Sequence, residues 1–284
     1  MSPGTKGTSL AEAGTERTHS YRLEDLDAAA ELKRLEAQVA LLAPLEFSIL
    51  REIGVGGAQV VADVGAGPGF FAERLAAELE GGRVIGVEID AAMVEVATER
   101  TKGSSLPLEF RLGTAQRMPL ADDAVDVAYA RFLFQHLADP RPVLAEMQRI
   151  VKPGGLVVVG DTDDGGLVLH PAPDGFDAFL AASGRAQAAR GGDRRVGRKL
   201  KAYLAESGLA DVRATTRALT SEDIGPEALI AIAVGFKAGV LKPPWVTEDE
   251  LTRMKAELAL LGGADGFYGH ALGTLAWGRV PAAS

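Results

Sequence analysis

The feature that most constrains this chain is an apolar run that ends at an acidic residue and enters a glycine-rich turn. Residues 60–64 carry Asp63, and Gly65, Gly67 and Gly69 follow before a helical pattern begins. Glycine allows a sharp turn and a close ligand approach because it has no Cβ. The start of a helix adds unpaired N–H groups that point at whatever lies in the turn. The segment therefore predicts a strand, a turn and a helix that hold a nucleoside-containing cofactor.

Apolar runs alternate with helical patterns over the next hundred or so residues. The predicted strands are residues 60–64, 83–88, 108–112, 125–130 and 156–160. Largely apolar strands separated by helices indicate an α/β fold whose parallel sheet is buried on both faces.

The remaining segments predict the organisation of the chain. Residues 1–20 are expected to be a flexible tail, 21–57 N-terminal helices that cover the cofactor, and 58–221 with 266–284 the cofactor-binding core. Pro44 divides the N-terminal pattern into two predicted helices. Residues 222–265 are too many for a connecting loop and predict a helical cap before the last strand, with Thr247 and Glu250 in capping-box spacing. That last strand, residues 268–280, is expected at the sheet edge.

Composition excludes several classes of function. The formal net charge is −9, which argues against binding to a nucleic-acid backbone. There is no cysteine, so disulfides, thiolate metal sites and a cysteine nucleophile are excluded. No apolar segment has the length of a membrane span, and residues 1–20 lack the apolar core of a secretory signal. The expectation is a cytoplasmic enzyme, monomeric or homodimeric, that acts on a small molecule without nucleic-acid or membrane partners.

The spacing of the glycines bears on the kind of cofactor. Gly65, Gly67 and Gly69 form G-x-G-x-G, one residue shorter than the dinucleotide fingerprint. A tight turn that contains Pro68 leaves less room for a pyrophosphate and favours a cofactor without phosphate. Glu88, at the end of the second predicted strand, can accept both ribose hydroxyls, although this feature alone does not separate NAD from other adenosine cofactors.

Several motifs in order resemble class I S-adenosylmethionine-dependent methyltransferases. The matching segments are residues 63–69, 86–90, 113–116, 123–137 and 144–155, and residues 276–279 resemble that family's last, antiparallel strand. Within the class, the chain resembles the small-molecule group that includes ubiquinone and menaquinone biosynthesis enzymes. The resemblance implies a Rossmann-like methyltransferase fold, with a seven-stranded, mostly parallel sheet and an antiparallel last strand. It also implies S-adenosylmethionine as cofactor, S-adenosylhomocysteine as product, and methylation of a small, partly apolar acceptor at O, N or C.

The resemblance also implies which residues contact the cofactor. Gly65, Ala66 and Gly67 would form the floor under the methionine part and the ribose, with Gly69 completing the turn. Asp63 would contact the methionine amino group, and Glu88 the ribose hydroxyls. The carbonyls of Ala130 and Arg131 would reach toward the amino group and the sulfonium.

Two further groups of residues are assigned in the same way. The adenine would contact Ile89, Thr114, Ala115 and Gln116, where Thr114 replaces an Asp that is common in the family. A hydroxyl is the weaker acceptor for an amino group. Tyr21 and Gln38, in the N-terminal helices, would close over the methionine end.

Catalytic residues are less constrained by the sequence. A general base is needed only if the accepting atom carries a proton that must leave. His136 and Asp161 are the candidates, and a histidine packed under the cofactor or a solvated acidic loop are the competing interpretations. Asp161, Asp163 and Asp164 do not secure the octahedral geometry that Mg²⁺ requires, so no metal is predicted. The basic residues between 185 and 201 favour either an anion-binding surface or a solvated helix face.

Two other functions stay open at this point. One is a nicotinamide-dependent oxidoreductase, which the short glycine spacing and the turn at 152–155 disfavour. The other is a methyltransferase-like protein that binds the cofactor without transferring a methyl group.

Overall fold

The computed structural model describes residues 27–235, 237, 241 and 243–282, so the predicted tail and Tyr21 lie outside the described residues. The elements in chain order are α1 Ala28–Glu52, β1 Val60–Val64, α2 Phe70–Glu78, β2 Arg83–Glu88, α3 Ala91–Arg100, β3 Leu108–Leu112, β4 Val125–Arg131, α4 Arg141–Ile150, β5 Val151–Thr162, β6 Val168–His170, α5 Phe176–Ala188, α6 Leu200–Glu206, β7 Ala210–Thr220, α7 Ser221–Ile224, α8 Pro226–Ile230, α9 Glu248–Leu261 and β8 Tyr268–Arg279. Short 3-10 helices cover Phe134–His136, Asp164–Gly166 and Val196–Lys199, and a π-helix covers Ala231–Gly235.

The strands form one eight-stranded sheet in the order β3-β2-β1-β4-β5-β8-β6, and β7 also pairs with β8. Strands β1 to β5 are parallel, whereas β8 runs antiparallel to β5, β6 and β7. Separate clusters of buried apolar residues include opposite-facing positions of β1, such as Ala62 in one and Val61 in the other. Both faces of the sheet are therefore covered, as the apolar strands predict.

Two details of the sheet differ from the prediction. The last strand is not at the edge, because His270 pairs with Val168 of β6 on one side and with Thr220 of β7 on the other. The sheet also has eight strands where seven were expected, since β6 adds an extra one. A strand of three residues, in which only Leu169 is buried, is too short to produce a readable alternation.

The N-terminal segment is one helix where the sequence predicted two, because α1 continues through Pro44. A proline inside a helix removes one backbone hydrogen bond and crowds the preceding turn. Buried residues on both sides of Pro44, namely Val39, Ala43, Phe47 and Leu50, share one face of the helix. Phe47 stacks on Phe71 of α2 with ring centroids 5.4 Å apart. Packing along this continuous face outweighs the local preference of proline.

Residues 221–261 contribute short helices and then the longer α9. The predicted capping box is present, because the Thr247 hydroxyl accepts from the Glu250 N–H and the Glu250 carboxylate accepts from the Thr247 N–H. Buried Leu229, Met254 and Leu258 pack in one cluster with Leu169 of β6 and with Phe267. The division of the chain into core and cap stays a prediction. Within the described ranges, no helix has both the length and the apolar character needed to cross a membrane.

Candidate active site

A continuous cavity lies along the carboxyl ends of the parallel strands, where open α/β sheets bind ligands. At one end, here called the glycine end, the lining includes Asp63, Gly65, Gly67, Glu88 and Ile89. The lysine end lies beyond β5 and is lined by Asp164, Leu167, Arg194, Lys237 and Leu272. Helix α1 contributes Gln38 and Glu46 to the wall.

The turn after β1 requires glycine for two different reasons. Gly65, Gly67 and Gly69 have φ values of 77°, 54° and 79°, in the left-handed region that favours glycine. At Gly69, a Cβ would also meet the Phe110 ring at 2.4 Å, whereas at Gly67 it would meet nothing within 4 Å. The turn is therefore fixed by packing behind Gly69 and stays open around Gly67.

The Glu88 carboxylate is held in place by backbone N–H groups. Its Oε2 accepts from Gly67 at 2.8 Å, and its Oε1 accepts from Ile89 at 2.8 Å and from Asp90 at 2.9 Å. Burial raises the pKa of Glu88 above its usual value, and these hydrogen bonds oppose the rise. The carboxylate and the glycine turn thus form one rigid unit at the end of β2.

Asp63 lies buried beside an ion pair that sequence reasoning missed. Glu46 Oε2 of α1 is 2.7 Å from Arg131 Nε, and both side chains are 9% exposed. Burial lowers the pKa of Arg131, but the attraction of Glu46 is strong enough to raise it overall. Burial also raises the pKa of Asp63 to about 7, although Arg131 works in the opposite direction. The only sequence signal was a charged residue at the end of an apolar strand, because the partner lies far away on α1.

The structure brings most of the predicted site residues to this cavity. Its lining includes Gln38, Asp63, Gly65, Ala66, Gly67, Glu88, Ile89, Ala115, Arg131, His136 and Asp161. Four other candidates do not line it, namely Gly69, Thr114, Gln116 and Ala130. The Thr114 hydroxyl instead accepts from the Arg117 N–H at 3.0 Å, within its own turn. The contacts of all these residues with a cofactor stay predictions, as does the role of Tyr21.

His136 lies in the wall in a state unsuited to taking up protons. Burial lowers its pKa to about 3, and the nearby Arg194 works in the same direction. Its Nδ1 is 3.2 Å from Gln187 Nε2, an amide nitrogen that also donates to the Gln135 carbonyl at 2.7 Å. The imidazole is therefore neutral near pH 7 and is a weak base.

Asp161 is the second catalytic candidate and is almost completely buried. Its Oδ2 accepts from the Gln135 N–H at 3.0 Å, and its Oδ1 accepts from the Thr162 N–H at 2.8 Å. Burial raises the pKa of Asp161 to about 7, against the effect of these two hydrogen bonds. The side chain ties the end of β5 to the segment that carries His136.

The acidic and basic residues around the lysine end sort into separate pairs. Asp163 accepts two hydrogen bonds from Arg198, Asp164 lies 3.2 Å from Lys237, and Asp193 pairs with Lys199. Arg194 is buried and donates to the Gln135 side-chain oxygen at 2.9 Å. Within the basic run, Arg194 is buried and Arg198 and Lys199 are paired, while the other four cations are exposed, namely Arg185, Arg190, Arg195 and Lys201. Among the described residues, no cluster of acidic side chains or histidines could hold a metal ion.

Comparison with known proteins agrees with this geometry. Residues 62–159 match the family model described as "Methyltransferase domain". This segment of the chain is therefore similar to methyltransferase domains. An uncharacterized methyltransferase of Mycobacterium ulcerans is 35% identical over 142 residues, which cover 50% of this chain and 54% of that protein. An uncharacterized 37.1 kDa transposon protein of Streptomyces fradiae is 42% identical over 103 residues, which cover 36% of this chain and 29% of that protein.

Solved structures show the same fold at low sequence identity. Phosphoethanolamine N-methyltransferase 2 of Haemonchus contortus, solved with S-adenosylhomocysteine, has a TM-score of 0.59 at 18% identity, covering 91% of this chain and 59% of that one. YcgJ of Bacillus subtilis has a TM-score of 0.56 at 19% identity, covering 83% and 97%. The predicted Rossmann-like methyltransferase fold is confirmed. The chain spans about half or less of the curated relatives above, and the ubiquinone-like subgroup stays a prediction.

Proposed function

We propose that this protein transfers a methyl group from S-adenosylmethionine to a small, partly apolar acceptor at O, N or C. The observation that carries the proposal is the Glu88 carboxylate, fixed against the Gly67 N–H at the mouth of an open glycine turn. A carboxylate in this place can accept both ribose hydroxyls through charge-assisted hydrogen bonds. The matched methyltransferase domain, which contains the turn and Glu88, supports this cofactor over a nicotinamide dinucleotide.

The ion pair beside Asp63 supplies charges for the amino-acid part of the cofactor. We place the methionine ammonium near Asp63 and the methionine carboxylate near Arg131. Nη2 of Arg131 is buried and has no hydrogen-bond partner among the described residues, so an incoming carboxylate would satisfy it. Ile89 and Ala115 would then contact the adenine, and Gln38 would cover the methionine end, as the resemblance implies.

Methyl transfer requires the protein mainly to align the cofactor and the acceptor. Methyl transfer is an in-line displacement on a cofactor that is already activated, so a shaped, water-poor cavity supplies most of the catalysis. Where the accepting atom must lose a proton, Asp161 has a pKa matched to neutral pH, whereas His136 does not. We assign proton transfer to Asp161 and a hydrogen-bonding role to His136.

Titration calorimetry with S-adenosylhomocysteine tests the proposal. The unmodified protein should bind it, and Glu88→Ala should weaken binding by at least about a hundredfold, since two hydrogen bonds to a charged group are lost. Glu88→Gln should lie between the two. Glu109→Ala, which removes an exposed carboxylate on β3, is the matched control and should leave affinity unchanged.

If the protein binds NAD and does not bind S-adenosylhomocysteine, the proposal is wrong and the protein is better explained as a nicotinamide-dependent oxidoreductase. Incubation with radiolabelled S-adenosylmethionine and an extract of the native host separates an enzyme from a protein that only binds the cofactor. Cofactor binding with no labelled product at any extract concentration would favour the latter.

A further inference from the structure

Asp164 at the lysine end has one carboxylate oxygen that the protein leaves unused. The side chain is 10% exposed, and its Oδ1 lies 3.2 Å from Lys237 Nζ. Its Oδ2 is buried and has no hydrogen-bond partner among the described residues. A buried acceptor without a donor costs stability, and few native groups are left in this state. The oxygen belongs to a residue that lines the cavity, where a ligand can supply the missing donor.

The segment that carries Asp164 is held rigidly. The Asp164 N–H donates to the Arg194 carbonyl at 2.9 Å. The preceding Asp163 accepts from the Gly165 N–H at 2.9 Å and forms a two-bond ion pair with Arg198. The unused oxygen is therefore a fixed feature of the cavity wall and is not the consequence of a loose turn.

The surroundings restrict the kind of donor that fits. Lys237 and Arg194 line the same end, and both are buried. Burial lowers the pKa of each of these cations, so a further positive charge there is unfavourable. The cavity lining also includes the apolar side chains of Leu167, Leu219, Ile232 and Leu272, besides a further cation, Arg217. A neutral hydroxyl on an apolar body meets these conditions, whereas an ammonium group does not.

We propose that the lysine end is the acceptor subsite and that it recognises a hydroxyl group of the methyl acceptor, which donates a hydrogen bond to Asp164 Oδ2. The inference rests on the proposed function and narrows its substrate class to hydroxylated, largely apolar molecules. Asp164 positions the acceptor and takes no part in the transfer itself. Lys237 pairs with the other carboxylate oxygen of Asp164.

Three probes of one shape test this subsite in the presence of saturating S-adenosylhomocysteine. 2-Naphthol can donate a hydrogen bond, 2-methoxynaphthalene can only accept one, and 2-naphthoic acid brings a negative charge. Calorimetry on the full chain should show 2-naphthol binding roughly tenfold more tightly than 2-methoxynaphthalene, as expected for a hydrogen bond to a charged acceptor.

Asp164→Asn should abolish or invert this preference, because the amide places an N–H₂ donor where the oxygen stood once Lys237 holds the amide oxygen. Asp139→Asn, which changes an exposed carboxylate, is the matched control and should keep the tenfold ratio. The double variant Asp164→Leu/Lys237→Met removes the pair as a neutral unit and provides the same test if Asp164→Asn does not fold. Its ratio should fall to about one.

Equal binding of 2-naphthol and 2-methoxynaphthalene to the unmodified protein would overturn the inference. Tighter binding of 2-naphthoic acid would also overturn it and would indicate an anion site at Lys237 and Arg194. A tenfold ratio that persists in Asp164→Asn would remove Asp164 from the subsite. Each of these outcomes, obtained with S-adenosylhomocysteine bound, leaves the proposed function standing, whereas failure of that compound to bind contradicts the proposed function itself.

Discussion

Each end of the cavity buries an ion pair. The two pairs differ in how far the attraction between the charges offsets the cost of removing them from water. At the glycine end, Glu46 and Arg131 are 2.7 Å apart, and the pKa of Arg131 is raised despite its burial. At the lysine end, Asp164 and Lys237 are 3.2 Å apart, and burial lowers the pKa of Lys237 in spite of its partner. Attraction therefore outweighs desolvation in the first pair and falls short of it in the second. Among the described residues, each pair also leaves one buried atom without a hydrogen-bond partner, Arg131 Nη2 in the first pair and Asp164 Oδ2 in the second.

Breaking either ion pair should give the largest losses of stability, and the loss should be greater for the pair at the glycine end. Arg131→Met leaves the Glu46 carboxylate buried without its cation, and it should lower the free energy of unfolding by about 3–5 kcal/mol. Lys237→Met breaks the looser pair and should cost clearly less, on the order of 1–3 kcal/mol. Urea denaturation followed by circular dichroism measures both values.

The double variant Glu46→Gln/Arg131→Met is the control for the larger effect. It removes both charges and should recover most of the stability lost in Arg131→Met. Equal losses in Arg131→Met and Lys237→Met would contradict the distinction between the two pairs.

A second difference lies in the backbone, because the glycine end depends on a crowded turn. Gly69→Ala places a Cβ against Phe110 and forces a left-handed conformation, so it should lower the free energy of unfolding by about 2–4 kcal/mol. Gly103→Ala has the same positive φ but open space around it, and it should cost only about 1 kcal/mol. The difference between the two urea midpoints isolates the contribution of packing. Equal midpoints would show that backbone conformation alone requires glycine at position 69.

The same contrast explains what the sequence predicted correctly. Apart from the Glu46–Arg131 pair, the glycine end is built from local parts: a strand, a turn, and a carboxylate at the end of the next strand, held by backbone N–H groups. Their order along the chain is enough to place Gly67 and Glu88 side by side. The lysine end combines Asp164, Arg194 and Lys237 from three separate segments of the chain. No local sequence pattern predicts that these side chains lie close together.

The fold prediction failed where tertiary packing outweighs a local preference. Pro44 was expected to end a helix, but a continuous buried face on α1 carries the helix through it. Thr114 accepts a hydrogen bond from Arg117 in its own turn and does not line the cavity, and its contact with the adenine stays a prediction. Sequence periodicity records local preference, and packing decides where several preferences compete.

The smallest expected effect is a pH dependence that belongs to the glycine end. Burial raises the pKa of Asp63 to about 7, and only the ionised carboxylate attracts the methionine ammonium. Lowering the pH from 7 to 6 should therefore weaken S-adenosylhomocysteine binding by about fivefold, or roughly 1 kcal/mol, in calorimetry. His136, with a pKa of about 3, stays neutral over this range and adds nothing to the slope.

Asp63→Asn should bind more weakly at pH 7 and should lose this pH dependence, because no proton competes with the ligand at that position. The sign follows from linkage: the free carboxyl takes up a proton as the pH falls through about 7, and the bound ammonium opposes that uptake. Asp161 also has a pKa of about 7 and lines the same cavity. If the pH dependence of S-adenosylhomocysteine binding persists in Asp63→Asn and disappears in Asp161→Asn, the titrating group is Asp161. The charge that affects cofactor binding would then lie at the end of β5 and not at the glycine end.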